Sequence, residues 1–227
     1  MIRLLLPLLL ALLGGLVMWH LSTRALARQL SANSTRLDDP RLAPALARLA
    51  RALDLPEVPV YLYRIAPING LAAPDGRVFL TQGFLAALDA GRVTPEELAS
   101  VIAHELGHVA HGHSRRRMID FSGQNALRFV LGTLLARALP GVGPWLAGLV
   151  TSALAARLSQ RDEFEADAFA TALLIKAGIG AAPQISLFAK LDALTGGARG
   201  ATPAWLLSHP ATPRRIAAIE ANAARWR

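Results

Sequence analysis

The stretch HELGHVAHGH, residues 104–113, contains four of the six histidines in the chain. His104 and His108 stand four residues apart, so on a helix their rings project from one face on successive turns. That spacing lets two imidazoles bind one Zn²⁺ ion. Glu105 is rotated by about 100° from His104 and can serve as the base that deprotonates a water beside the metal. The stretch therefore predicts two zinc ligands and a general base on one helix.

His111 and His113 do not complete this site. His111 lies on the face of His104, but seven residues span about 10.5 Å of helix, too far for one ion. In the longer zinc motif HExxHxxGxxH, the third histidine ligand would fall at position 114. That position holds Ser114, so the chain does not have this motif. His113 has no predicted metal role, and with the arginines at 115–117 it is predicted to end the helix. The third ligand must come from another segment.

The segment EFEAD, residues 163–167, is the best source of that ligand. It lies on a second predicted helix, where Glu163 and Asp167 share a face. Glu163 would complete a three-ligand set that leaves the fourth position to water. Asp167 could accept a hydrogen bond from the outer nitrogen of a ligand histidine and fix its tautomer. Glu165 points away from both and is predicted to be solvated.

The residues before the stretch mark the start of its helix. In Thr94-Pro95-Glu96-Glu97, threonine suits the N-cap, proline suits the first turn and Glu97 completes a capping box. The helix is predicted to run from there through residue 113. Further upstream, three runs are β-rich, and the turn sequence Pro74-Asp75-Gly76 separates the last two. These runs, at 58–65, 68–72 and 77–81, predict a small antiparallel sheet of about three strands.

Most of the remaining chain has helical spacing. The predicted helices cover residues 41–54, 84–90, 159–177, 182–194 and 211–226, with a glycine-rich loop at 195–204. The sequence therefore predicts an α+β, mainly helical fold, with the sheet beside the HExxH helix and a helical C-terminal half. Residues 125–158 are strongly apolar and broken at 140–144, and each half is too short and too charged for a membrane span. They are predicted to form a hairpin that either covers the core or dips into a membrane surface.

The amino-terminal residues 4–23 form an uncharged apolar segment. Twenty helical residues span about 30 Å, the thickness of one hydrocarbon core, so the segment predicts membrane association. It is either a transmembrane anchor or a signal peptide, because Ala25-Leu26-Ala27 resembles a cleavage site. The arginines that follow favour a cytoplasmic body, whereas a signal peptide places it outside, and our interpretation favours the periplasmic, extracytoplasmic side.

The composition narrows the classes of partner and chemistry. The chain of 227 residues is 53% hydrophobic and carries a net charge of +8, with Lys176 and Lys190 as its only lysines. Such a charge favours anionic partners, but no basic stretch is interleaved with aromatic residues, so nucleic acid is not an expected partner. Cysteine is absent, which excludes disulfides, thiolate zinc sites and cysteine nucleophiles.

Taken together, these motifs resemble a known family. HELGH followed by ExEAD is similar to the HtpX and CAAX-prenyl-protease family of membrane-linked zinc metallopeptidases, including its BepA-like and OMA-type members. Two further segments agree with that family in the expected order. They are Ile68-Asn69-Gly70-Leu71 with residues 77–83, and Ser208-His209-Pro210 with Arg215-Ile216.

The resemblance implies roles for particular residues. His104, His108 and Glu163 correspond to the zinc ligands, one ion per chain, and Glu105 corresponds to the general base. The strand at Asn69 and Gly70 corresponds to the edge that binds extended polypeptide. His209 either stabilises the oxyanion, blocks the site as a further ligand, or simply enters a helix before Pro210.

The chain also departs from the family pattern. The HtpX branch has several membrane spans, whereas residues 125–158 are too interrupted for that, and lipoprotein members need a cysteine that is missing here. The sequence predicts three parts: a membrane anchor or signal peptide at 1–27, a connector and helix at 28–57, and a zinc metallopeptidase domain at 58–227.

The leading functional prediction is a zinc metalloendopeptidase acting on misfolded, membrane or envelope polypeptides. The alternative is a non-catalytic, zinc-containing membrane assembly factor or chaperone. Polypeptide substrates and membrane lipids are the expected partners, and the sequence sets no oligomeric state.

Overall fold

The computed structural model describes the backbone of residues 2–73, 75–195, 209 and 213–226. It describes the side chains of these residues except 2–12, 19, 114, 115, 117–126 and 191–195. The glycine-rich loop predicted at 195–204 lies almost entirely outside the described residues. The helices are α1 (Ile2–Ala32), α2 (Ala43–Ala52), α3 (Gln82–Asp89), α4 (Pro95–Ala110), α5 (His113–Ala138), α6 (Gly143–Lys176), α7 (Ala182–Thr195) and α8 (Pro213–Arg225). The strands are β1 (Ser34–Arg36), β2 (Val60–Tyr63), β3 (Gly70–Ala72) and β4 (Val78–Thr81).

The α+β, mainly helical fold is confirmed. The contacts divide the chain into two compact units, one of Met1–Arg28 with Gly112–Asp162 and the other of Gln29–His111 with Glu163–Arg227. The second unit contains the sheet and the HExxH helix. Among the side chains that the structure describes, no helix presents a run long and apolar enough to cross a membrane.

The sheet has four strands in the order β1-β2-β4-β3 and is mixed, so the prediction of a purely antiparallel sheet was wrong. β3 and β4 pair antiparallel around a short turn, with Gly70 opposite Leu80. β2 then pairs with the other edge of β4, and the two run parallel, with Val60 opposite Val78. β4 is buried along its whole length, whereas β3 forms an edge of the sheet.

α4 begins as predicted and ends earlier than predicted. The Glu97 N–H donates to Thr94 Oγ1 at 3.2 Å, and the Thr94 N–H donates to Glu97 Oε2 at 2.9 Å, which completes the capping box. The helix ends at Ala110, because Gly112 adopts a left-handed conformation with φ of +62°. His113 therefore begins α5 rather than ending α4, and it is buried 3.8 Å from Asp162.

The apolar core fixes α4 against its neighbours in the second unit. Leu98, Val101 and Ile102 are fully buried in a cluster that includes residues of α2, α3, β2, β4, α6, α7 and α8. Gly107 lies so close to α6 that a Cβ atom there would stand 2.9 Å from the Cα and carbonyl oxygen of Ala166. This close approach brings the α4 face that carries His104 and His108 to Glu163 on α6.

The interruption at 140–144 separates α5 from α6, as predicted. The helix predicted at 159–177 is not separate, because it continues the second half of that hairpin as α6. No glycine or proline occurs between Gly148 and Gly178, so nothing in this stretch ends the helix.

Candidate metal centre

Two helices bring the three predicted ligands together. His104 and His108 come from α4, Glu163 comes from α6, and all three side chains are buried. The Nε2 atoms of the two histidines lie 3.1 Å apart. Glu163 Oε2 lies 3.4 Å from His104 Nε2, and Glu163 Oε1 lies 3.5 Å from His108 Nε2. The i, i+4 spacing on α4 and the tight helix contact at Gly107 produce this convergence.

His209 adds a fourth donor from the C-terminal part of the chain. Its Nδ1 lies 2.8 Å from Glu163 Oε2 and 3.3 Å from His104 Nε2. One donor atom from each of His104, His108, Glu163 and His209 falls within a 4.8 Å cluster. Ser208 and Pro210, on either side of His209, lie outside the described residues.

Asp167 and Arg215 form a layer behind the donors. Asp167 Oδ1 lies 2.9 Å from His104 Nδ1, on the side of the ring opposite Nε2. Arg215 donates from Nε to Asp167 Oδ2 at 2.6 Å and from Nη2 to Asp167 Oδ1 at 2.8 Å. Its Nη1 also lies 3.2 Å from Glu163 Oε2. The predicted contact between Asp167 and a ligand histidine is present, whereas sequence reasoning gave Arg215 no role beyond its place in a motif.

These contacts shift the pKa values of the buried groups. Burial favours neutral His104, but its bonds with Asp167 and Glu163 outweigh burial and raise the pKa of His104 to about 9. Burial opposes ionisation of Glu163, yet His104 and His209 hold the pKa of Glu163 well below its usual range. Burial likewise opposes ionisation of Asp167, and Arg215 with His104 lowers the pKa of Asp167. Both carboxylates are therefore ionised at neutral pH, and a metal would displace the His104 proton.

Glu105 lies beside the four donors on α4. Its side chain is 1% exposed, and its Oε1 has no hydrogen-bond partner among the described residues. His209 Nε2 lies 3.5 Å from Glu105 Oε1. β3 passes close by, since a Cβ at Gly70 would meet Val101 Cγ1 at 2.6 Å and Glu105 Oε1 at 3.5 Å. A carboxylate next to a donor cluster and an edge strand can exchange protons with a group bound there.

Three other residues that the sequence analysis discussed, His111, Glu165 and Asn69, do not belong to this donor cluster. His111 is exposed at the end of α4, with its ring 6.0 Å from that of Phe169. Glu165, which was predicted to be solvated, is half-buried. Asn69 is half-buried immediately before β3, and its Oδ1 is buried without a hydrogen-bond partner among the described residues.

A family model described as peptidase family M48 matches residues 36–223, a span that contains every residue of the candidate centre. The chain belongs to peptidase family M48. This finding confirms the resemblance seen in the motifs. It also assigns the chain to the metallopeptidases, the hydrolases that cut peptide bonds with the help of a metal.

Named relatives of this M48 chain are also peptidases. It is 30% identical to the metalloprotease LoiP of Escherichia coli strain K12 over 161 residues, which cover 68% of this chain and 58% of LoiP. It is 29% identical over 189 residues to the metalloprotease YcaL of the same strain, covering 82% of this chain and 71% of YcaL. It is 28% identical over 202 residues to the protease HtpX of Pseudomonas aeruginosa strain LESB58, which cover 75% of this chain and 68% of that HtpX.

The donor set of the M48 chain fits a metal ion. Ligand atoms at 2.0–2.1 Å from a tetrahedral ion stand about 3.3 Å from one another. Five of the six distances between the four donor residues, from 2.8 to 3.5 Å, surround that value, and one donor atom from each residue lies within 4.8 Å of the others. Three imidazoles and one carboxylate are also ligands that zinc accepts.

Proposed function

We propose that the chain is a zinc-dependent metalloendopeptidase that hydrolyses peptide bonds of misfolded, membrane or envelope proteins. The observation that carries this proposal is the four-donor cluster with the buried Glu105 carboxylate beside it. A structural zinc site is closed by four protein ligands and needs no base. The position of Glu105 therefore favours catalysis over the alternative of a non-catalytic assembly factor.

In this proposal His104, His108 and Glu163 hold one zinc ion per chain. The ion, when bound, polarises a substrate carbonyl and makes water more acidic. Glu105 accepts the proton of the attacking water and then delivers it to the leaving amine. The absence of a hydrogen-bond partner for Glu105 Oε1 among the described residues supports this role, because the oxygen is available for that proton.

His209 is assigned two successive roles. In the arrangement described, its Nδ1 completes the donor set. We propose that the imidazole withdraws from this position before a water molecule takes its place as the fourth donor. From a displaced position close to Glu105, the same imidazole can stabilise an oxyanion.

The edge strand β3 is proposed to bind the substrate backbone. Antiparallel pairing alternates, and the Thr81 N–H donates to the Asn69 carbonyl while the Ala73 N–H donates to that of Arg77. By this alternation, the backbone groups of Gly70 and Ala72 point away from β4. An extended peptide can pair with them beside Glu105, which gives affinity with little demand on side chains.

Replacing Asn69 with alanine tests this binding mode. We expect kcat/KM to fall by about 2- to 10-fold, mostly through KM, because one buried acceptor for a substrate N–H is lost. Steady-state hydrolysis of a fluorogenic peptide measures kcat/KM and KM. The control is Gln29→Ala, which changes an exposed residue on α1 and is expected to leave both values unchanged. An unchanged KM would remove Asn69 from the substrate site.

Membrane association is also proposed, through the apolar amino-terminal segment 4–23, with the catalytic unit on the extracytoplasmic side. The support is the composition of that segment. Amino-terminal sequencing of the mature protein in the membrane fraction tests it. A chain that begins after residue 27 would show that the segment is a cleaved signal peptide.

The zinc requirement has a direct test. Treatment with a chelator is expected to abolish hydrolysis of unfolded casein, and one equivalent of Zn²⁺ per chain is expected to restore it. Metal analysis and casein cleavage are measured on the same samples. Cleavage that persists after all metal has been removed would refute the proposal.

Arg215 is proposed to orient the ligands through Asp167 and Glu163. Arg215→Met is expected to lower zinc affinity by about 10- to 100-fold, as other losses behind a metal site do. Competition with a chromogenic chelator measures the affinity. Arg214→Met is the matched control, since Arg214 is adjacent and exposed. Equal affinities of the two variants would make Arg215 only a structural residue.

A further inference from the structure

α7 presents one face to the layer of residues behind the metal donors. Gln184 and Phe188 are four residues apart, so their side chains project from the same side of this helix. Gln184 is buried and contacts Asp167 on α6. Phe188 is also buried and contacts Arg215 on α8. One face of α7 therefore touches both members of the Asp167–Arg215 pair.

Phe188 lies against the guanidinium group of Arg215. The Arg215 side chain is buried, and its Cζ lies over the Phe188 ring, 4.8 Å from the ring centroid. The carboxylates of Asp167 and Glu163 bind the guanidinium nitrogens, whereas the ring contacts the central carbon. Arginine keeps its charge in proteins, and its attraction to an aromatic ring is strongest away from water. Phe188 therefore restricts movements of the guanidinium that the carboxylates alone permit.

Gln184 fixes the backbone of α6 at Asp167. Its Nε2 donates to the Asp167 carbonyl oxygen at 3.3 Å, and its Oε1 accepts a hydrogen bond from Thr171 Oγ1 at 2.8 Å. These two bonds set the orientation of the amide, because the Asp167 carbonyl can pair only with a donor. Gln184 therefore ties α7 to the turn of α6 whose carboxylate contacts His104.

The opposite face of α7 is fixed to the start of α4. Ser186 and Lys190 follow the two residues of the first face by two positions each, so they project about 160° away. Both bind the buried Glu97, whose Oε1 accepts from Ser186 Oγ at 2.6 Å and lies 2.7 Å from Lys190 Nζ. α4 is also the helix that carries His104 and His108. α7 is thus held on two sides by contacts that include no proposed metal ligand.

We propose that Phe188 and Gln184 are positioning residues for the zinc ligands. Phe188 acts through Arg215, which it keeps against its carboxylate partners. Gln184 acts through Asp167, which pairs with the outer nitrogen of the His104 ring. These roles rest on the proposed zinc site and extend its support to a helix that supplies none of the proposed ligands.

A double-mutant cycle with Arg215 tests the role of Phe188. Phe188→Leu keeps an apolar side chain but removes the ring, and we expect zinc affinity to fall by about 3- to 10-fold, less than for groups directly behind a metal site. In the Arg215→Met background the same change is expected to have no further effect, because the residue through which it acts is gone. Chelator competition measures the four affinities on the full chain. Equal losses in both backgrounds would overturn the role of Phe188.

Cobalt provides a readout that a loss of stability alone would not move, since the visible absorption of bound Co²⁺ depends on ligand geometry. We expect the bands to change in Phe188→Leu and to return in Phe188→Tyr, which restores the ring. The matched control is Leu187→Ala, which removes a buried apolar side chain from the same helix. It is expected to lower the urea unfolding midpoint and to leave the bands and the zinc affinity unchanged. The same spectral change in Leu187→Ala and Phe188→Leu would reduce Phe188 to a packing residue of the core.

Gln184→Leu is a second variant on the same face of α7, and it keeps the apolar packing around Phe188. It is expected to lower zinc affinity by about 3- to 10-fold, because the bond to the Asp167 carbonyl is lost. Wild-type affinity in both Gln184→Leu and Phe188→Leu would refute the positioning roles and leave the zinc site intact. Wild-type protein that binds neither Zn²⁺ nor Co²⁺ would refute the zinc site itself.

Discussion

Glu105→Gln is expected to lower kcat/KM by about 10²- to 10⁴-fold, the usual contribution of a general base. Glutamine keeps the size of the side chain but cannot accept the proton of the attacking water. Because Glu105 is not among the proposed ligands, zinc content is expected to remain at one ion per chain. Casein cleavage and metal analysis on the same preparation measure both quantities.

The matched control for this variant is Glu96→Gln, an exposed glutamate on the same helix. It is expected to retain wild-type activity. A Glu105→Gln protein that cleaves casein at the wild-type rate with zinc bound would refute the mechanism. One that loses cleavage yet fully complements a deletion would support the non-catalytic assembly factor instead.

Glu163→Ala is expected to lower zinc affinity by more than about 100-fold, since the loss of groups behind the ligands alone costs 10- to 100-fold. Two imidazoles from α4 remain, and His209 would then be the only third donor in the cluster. Chelator competition measures the affinity, and metal content after dialysis provides an independent value.

Glu165→Ala is the control, because Glu165 lies on the same helix and is half-buried. It is expected to bind zinc as the wild type does. The unfolding midpoint in urea shows whether the Glu163 variant is folded, and Glu163→Gln serves as a second variant of unchanged volume. Wild-type zinc affinity in both Glu163 variants would remove this residue from the ligand set.

His104, His108 and Glu163 could be grouped from sequence because helix periodicity fixes which residues share a face, whereas His209 entered only through the family resemblance. His104 with His108, and Glu163 with Asp167, are pairs spaced by four residues, and each pair faces the other in the fold. The contact of Arg215 with Asp167 could not be predicted from helix periodicity. Its side chain reaches the centre from α8, and only the packing of α8 in the fold reveals that contact.

Strand pairing and helix ends were harder to predict. β1 has only three residues, all polar, so it lacks the alternation that indicates a strand. The parallel pair of β2 and β4 depends on which edge of the β3–β4 hairpin remains open, and periodicity does not contain that information. The end of α4 was marked by Gly112, a residue type common just past helix ends, yet the nearby histidines and arginines favoured a longer helix.

The contact at Gly107 indicates that the helices pack together without the help of a bound metal. α4 is held against α6 by backbone proximity and by the apolar cluster around Leu98 and Ile102, none of which involves a metal donor. In zinc fingers, by contrast, the ion itself drives folding. Here the scaffold sets the spacing of the donors beforehand. If the proposed zinc dependence holds, loss and return of the ion would switch activity off and on without unfolding the protein.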